Sequence, residues 1–127
     1  MLALALQSYN FTFKPNPQNV GAVEYALAWR FGGVVVELRI ALLDWQAPSS
    51  GLVILTMATR PERQRSQGYG GRALEALLAW ARACDLAHEI RATQVSDPRA
   101  AQFWTRHGFE AVPGSVTGDY VRREPRP

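Results

Sequence analysis

Residues 52–86 decide the reading of this chain: LVILTMA (52–58), TRPERQRSQ (59–67), then GYGGRALEALLAWARACDL (68–86). An apolar strand runs into an arginine-rich polar loop, and a long amphipathic helix starts on glycines. A helix N-terminus carries unpaired backbone N–H groups and about half a unit of positive charge. Glycines there let an anion approach the backbone closely. Arg60, Arg63 and Arg65 add charge just ahead of the turn. These residues predict a site for an anion, most simply a phosphate.

The helix is written in its spacing. Leu74, Leu77, Leu78, Ala81 and Cys84 recur at helical intervals and form a core-facing stripe, while Arg72, Glu75 and Arg82 face out. Upstream, the period is two. In residues 22–31, Val23, Tyr25, Leu27, Trp29 and Phe31 share one face, and Glu24 and Arg30 the other. Gly32-Gly33 suits a tight hairpin turn, and 34–45 alternates again, with Glu37 and Arg39 outward. The 52–58 strand is nearly all apolar, as expected of one buried on both faces. Residues 2–13 also read as a strand, with a bulge near Gln7-Ser8 that would bring Leu2, Leu4 and Leu6 onto the side of Tyr9, Phe11 and Phe13. The following KPNPQNVG reads as a loop because of its two prolines.

Downstream of the helix, 89–95 returns to strand character. Ser96-Asp97-Pro98 is a helix start, with Ser96 or Asp97 as cap and Pro98 in the first turn. A short helix over 99–107 ends at Gly108. Residues 109–112 and 115–122 are short strands split by Pro113-Gly114. The predicted order is β-β-β-β-α-β-α-β-β. It describes an α+β fold with a mixed, mostly antiparallel sheet: a β-meander followed by β-α-β-α-β-β.

Length and composition are those of one globular domain over 1–127: 47% hydrophobic, 20% charged. No apolar run reaches the length of a membrane span. The N-terminal MLALALQSYNF lacks a basic leader and reads as structure, and a cytoplasmic location is the default expectation. The one cysteine, Cys84, excludes an internal disulfide and reads as a buried small hydrophobe. The net charge of +3 is modest and the arginines form no contiguous block, which argues against a nucleic-acid partner. The His and carboxylate positions show no metal-ligand spacing.

Gly68-Tyr69-Gly70-Gly71-Arg72-Ala73 also fits the dinucleotide pattern G-x-G-x-x-A, but that pattern needs its first glycine directly after a parallel strand, and seven residues, 61–67, intervene here. No Gly-Lys-Ser/Thr follows, so a Walker loop is absent. Arg65-Ser66-Gln67-Gly68-Tyr69-Gly70 instead closely resembles the coenzyme A signature Q/R-x-x-G-x-G/A of the GNAT acetyltransferases. A second landmark lies about 30 residues on. Asp97-x-x-Ala100-Ala101-x-Phe103-Trp104-x-x-His107-Gly108-Phe109 resembles the family's N-x-x-A-x-x-F-Y-x-x-x-G-F. Together the motifs and the element order cover roughly residues 20–122.

The resemblance implies an acetyl-CoA-dependent N-acetyltransferase, with acetyl-CoA as cosubstrate and a primary amine as acceptor. Backbone groups of Met57, Ala58 and Thr59 would hold the pantetheine arm like an added strand. Backbone N–H groups across Arg65, Ser66, Gln67, Gly68, Tyr69, Gly70 and Gly71 would hold the diphosphate, with Arg63, Arg65 or Arg72 pairing to its oxygens. Asp97, Ala101, Phe103 and Trp104 would line the arm and the thioester end, with Arg106 near the nucleotide end. Phe103 and Phe109 would serve the core as well, and His88 and His107 read as cap or surface residues.

Two departures stand out. The family has two helices between its first two strands, and residues 14–20 are too few for them. The acceptor groove should therefore be open, or completed by a second subunit in a homodimer. Second, Trp104 stands where the family carries a tyrosine proposed as general acid, and an indole N–H cannot supply a proton. Tyr120 or a water could replace it, with Tyr69 a weaker candidate. Glu37, then Glu24 and Glu62, are the candidate bases for deprotonating the amine. A rival reading keeps the coenzyme and drops the chemistry: an acyl-CoA-binding module without turnover.

Overall fold

A computed structural model describes residues 9–16, 23–42, 52–60, 68–84, 87–93, 95, 97–116 and 118–124. Among the described residues, seven strands and two helices follow the predicted order. They are β1 (Phe11–Asn16), β2 (Val23–Phe31), β3 (Val34–Leu42), β4 (Leu52–Arg60), α1 (Tyr69–Ala83), β5 (Glu89–Ala92), α2 (Pro98–Arg106), β6 (Glu110–Ala111) and β7 (Tyr120–Arg123). The sheet order is β1-β2-β3-β4-β5-β7-β6. Only the β4–β5 pair is parallel, joined by the crossover helix α1; its neighbours are antiparallel. The sheet is mixed and mostly antiparallel, as the pattern predicted.

Period-two spacing sets the two faces. Val34, Val36, Leu38 and Ile40 of β3 are buried, whereas Glu37 and Arg39 between them are exposed. The hairpin turns at Gly32-Gly33, where Gly32 takes the positive φ of 57° that a tight reversal requires. Leu27 and Trp29 of β2 are buried beside β3. Both helices lie on this apolar face, since α1 meets α2 where Gly71 and Glu75 approach His107. Leu74, Leu77, Leu78 and Trp80 of α1 are fully buried there, and a buried side chain of this size contributes about 1.5–3 kcal/mol. On the opposite face Ala26, Arg30, Glu37 and Arg39 stand exposed, with no helix over them among the described residues.

Two expectations change. Lys14-Pro15-Asn16 belongs to β1, paired with Ala26, Tyr25 and Glu24, and not to a loop. β1 is an edge strand, where proline's missing N–H interrupts no second ladder. β4 is not buried along its length: Leu52, Val53 and Ile54 are buried, and burial is lost from Leu55 onward. The cause is that β5 pairs with β4 only at those first three residues. The expected bulge near Gln7-Ser8, the strand over 2–8, the loop carrying Glu62 and the C-terminal tail lie outside the described residues.

α2 starts as its sequence dictates. Asp97 is the N-cap, its Oδ1 accepting from the Arg99 N–H at 2.8 Å, and Pro98 opens the first turn. The end of β7 is tied to α1 by charge. Arg82 donates to both oxygens of Glu124 at 2.9–3.1 Å, and Arg122 donates to the same carboxylate. Hydrogen bonds from Arg82 and then Arg122 hold the Glu124 carboxyl at about 2, well below the usual carboxylate range.

Candidate active site

The site begins with one extra residue. Ile54 pairs with Ile40 of β3 and Thr56 pairs with Arg39, so Leu55 has no residue opposite it. Such a bulge bends its strand and disrupts the local ladder. Thr93 still donates to the Ile54 carbonyl at 3.2 Å, but beyond that point β4 and the chain following β5 separate. Val95 turns instead to Gly118, donating to its carbonyl at 3.0 Å.

The parting strands leave a cleft. Its inner part is a cavity of about 380 Å³ bordered by Leu55 and Thr56 of β4, Thr93 and Val95 beyond β5, and Ala100 and Trp104 of α2. Its outer part, about 720 Å³, runs along Ala58 and Thr59 to Gly68, Gly70 and Gly71 at the head of α1. Met57 and Phe103 border both, so the two are continuous. Volumes of about 300–1,000 Å³ are usual for small-molecule sites. The far wall of the outer part is one face of α2, carrying Arg99, Gln102 and Arg106, with His107 just beyond its last turn.

The head of α1 suits an anion. Gly68 is its N-cap at φ 85°, a conformation side chains strain to adopt, and no side chain caps the helix. No acidic residue occupies the first turn. The same cavity is bordered by Gly68, Gly70 and Gly71 on this side and by two arginines, Arg99 and Arg106, on the other. A Cβ on Gly70 would lie 3.6 Å from Phe103 and 3.7 Å from Met57, where the inner and outer parts join.

Nine of the residues singled out in the sequence come together here. Met57, Ala58, Thr59, Gly68, Gly70 and Gly71 form one side, and Phe103, Trp104 and Arg106 the other. Asp97 is turned to its capping bond, and the α2 residue on the inner cavity is Ala100 rather than Ala101. Arg72 sits with its guanidinium 4.0 Å above the Phe31 ring, and Tyr69 also packs on Phe31, at 6.2 Å. Both therefore stand toward the β2–β3 hairpin and off the cleft lining. Arg63, Arg65, Ser66 and Gln67 lie outside the described residues.

Glu37 pairs in register with Ala58 and so shares its side of the sheet, away from the helices. Its carboxylate accepts from Arg60 Nε at 3.0 Å in an exposed pair. Tyr120 is across β5 from the cleft, opposite Ala92, and borders neither cavity. Trp104 is buried, packed edge-on against Phe103 at 5.1 Å and Phe109 at 4.9 Å. Cys84 is half-buried and burial pushes its thiol up, away from nucleophile chemistry. Sequence reasoning missed Leu55, Thr56, Thr93, Val95, Arg99 and Gln102, and it read His107 as a cap or surface residue. The α2 pair could have been found by helical spacing, since Arg99, Gln102, Phe103 and Arg106 share a face.

The profile of the acetyltransferase (GNAT) family matches residues 5–109. A comparison with curated proteins finds no match. Among solved structures, the fold is similar to AtaTR bound with acetyl-CoA, at TM-score 0.61 and 14% identity over 81% of this chain and 68% of that one. It is similar to PH1933 from Pyrococcus horikoshii OT3, at TM-score 0.57 and 16% identity over 81% and 66%. KacTA in its complex with DNA matches at TM-score 0.54 and 12% identity over 84% and 71%. This chain thus spans about two thirds of each of those chains, and at such identities the likeness is one of fold. With a profile match that takes in most of its length, the chain belongs to the acetyltransferase (GNAT) family.

Proposed function

We propose that this protein is an acetyl-CoA-dependent N-acetyltransferase that moves an acetyl group to a primary amine by direct attack. The observation that carries the reading is the bulge at Leu55, which parts β4 from β5 and opens a cleft ending at the glycine head of α1. Family membership and the acetyl-CoA held by AtaTR support the choice of ligand.

The residues fit such a ligand. The N–H groups at Gly68, Gly70 and Gly71 suit a diphosphate, with Arg99 and Arg106 facing it. Backbone groups of Met57, Ala58 and Thr59 suit an extended arm. The thioester end belongs in the inner cavity beside Leu55 and Thr56, where main-chain N–H groups freed by the bulge would stabilise a developing oxyanion. Acetyl-CoA supplies an activated acetyl carbon and a thiol leaving group. The amine must arrive neutral, so its proton goes to a base before or during attack; Glu37, on the sheet face opposite the two described helices, is the base we assign. The proton returned to the thiolate comes from water, since Trp104 has none to give and Tyr120, the other candidate, borders neither part of the cleft.

The acceptor would enter from the face where Glu37 and Arg39 stand exposed. A face this open suits an extended acceptor, or completion by a second copy in a homodimer. The test is thiol release from acetyl-CoA with a panel of amines and peptides. Amine-dependent release supports the reading. Tight binding with no release for any amine would leave an acyl-CoA-binding module in its place.

A further inference from the structure

His107 stands between two helix ends. It follows the last turn of α2, and its imidazole lies across the first turn of α1: a Cβ on Gly71 would be 3.0 Å from Nε2 and 3.1 Å from Cε1. The C-terminus of α2 favours a cation there and the N-terminus of α1 opposes one, and an anion at the head of α1 would add to the favourable side. The residue is held there at three points, two of them on the ring. Nδ1 is 3.4 Å from Glu75 Oε1 of α1, Phe103 packs at 4.7 Å, and the His107 carbonyl accepts from Arg122 Nε of β7 at 3.2 Å. The imidazole borders the outer cavity beside Gly68, Gly70 and Arg106.

We propose that His107 is a binding residue for the coenzyme's diphosphate, donating from Nε2–H while Glu75 accepts from Nδ1–H. The proposal rests on the cleft being the acetyl-CoA site. A neutral imidazole has a single N–H. Glu75 draws that proton to Nδ1, which turns the bare Nε2 lone pair toward the phosphate oxygens. Only the imidazolium donates from both nitrogens, so coenzyme affinity falls where that second proton is lost. The charged groups around the ring are Glu75 on α1, Arg99 and Arg106 on α2, and Arg122 on β7; Arg72 of α1 is turned to Phe31. Glu75 and the bound diphosphate favour the proton, and the arginines oppose it.

The probe is dephospho-CoA, whose diphosphate keeps its charge across the pH range tested, titrated calorimetrically into the wild type, His107→Gln and Glu75→Gln, with acetyl-CoA alongside. Glutamine at 107 keeps a donor and cannot titrate. For the wild type, affinity should fall about tenfold from pH 5.5 to 8.5, and for His107→Gln it should stay within about twofold. Glu75→Gln should also flatten the profile, because an amide can donate to Nδ1 and leave the proton on Nε2. Without ligand, His107→Gln should melt no lower than the wild type at pH 5.5. A wild-type slope that persists in His107→Gln, or a flat wild-type profile, overturns the assignment of His107 alone. Failure of the wild type to bind either coenzyme at any pH overturns the acetyl-CoA reading itself.

Discussion

Gly70 faces Phe103 across the joint between the inner and outer cavities, with room for a methyl group and no more: a Cβ at position 70 would rest 3.6 Å from Phe103 Cε1. That is ordinary van der Waals contact, so Gly70→Ala should fold as the wild type does. Alanine also favours a helix interior over glycine by about 1 kcal/mol. Yet the methyl would narrow the passage between phosphate and thioester. We expect the melting temperature to hold or rise while acetyl-CoA affinity drops at least about tenfold. Calorimetry and thermal melts on the same preparation check both, and unchanged affinity would count heavily against this site.

Trp104 should matter for stability and not for proton transfer. Its indole is buried between Phe103 and Phe109. Trp104→Ala should cost about 3–5 kcal/mol in denaturant unfolding. Trp104→Phe should keep the fold and leave kcat within about threefold, since neither side chain can give a proton. A loss of activity in a folded Trp104→Phe protein, beyond that margin, would show a chemical role for the indole.

Glu37 carries the opposite expectation. It is exposed, bonded to Arg60, and remote from the buried core. Removing it should change stability by less than about 0.5 kcal/mol. If it is the base, Glu37→Gln lowers kcat by about a hundredfold and leaves acetyl-CoA binding intact. Steady-state kinetics paired with calorimetry separate the two effects; full activity in that variant removes Glu37 from the mechanism.

Acid should loosen the contact between β7 and α1. The Glu124 carboxyl is lowered from 4.5 to about 2 by hydrogen bonds from Arg82 and Arg122. A depressed carboxylate contributes stability above its unfolded value, and that stability is lost as pH falls through the folded one. The window is therefore between about pH 4.5 and 2. Glu124→Gln should be less stable than the wild type at neutral pH and should lose less on acidification through that window. The half-exposed Arg82 keeps the difference small. Melting curves at stepped pH read it directly, and parallel acid limbs would contradict it.

Much of this was legible because it is local. Alternation in β2 and β3, the Gly32-Gly33 turn, the apolar stripe of α1 and the Asp97-Pro98 start of α2 each follow from neighbouring residues. The glycine head of α1 points to an anion through backbone geometry alone. What escaped depends on distant partners. LVILTMATR carries no mark at Leu55, because a bulge is a mismatch in length between two strands and neither strand shows it alone. Pro15 is tolerated only because β1 ends the sheet, and sheet order is not a local property. The family resemblance offers Arg72 as one of three partners for the diphosphate, but Phe31, far away in sequence, presents its ring face to it. His107 gains its setting only when α1 and α2 lie side by side.

The measurement closest to the centre is a crystal structure of the protein grown with acetyl-CoA. The account predicts the diphosphate at the backbone N–H groups of Gly68–Gly71 and the thioester beside Leu55 and Thr56, with the arm along β4 between them. A ligand bound elsewhere, or an empty cleft at saturating acetyl-CoA, would contradict it and leave only the fold and the family standing.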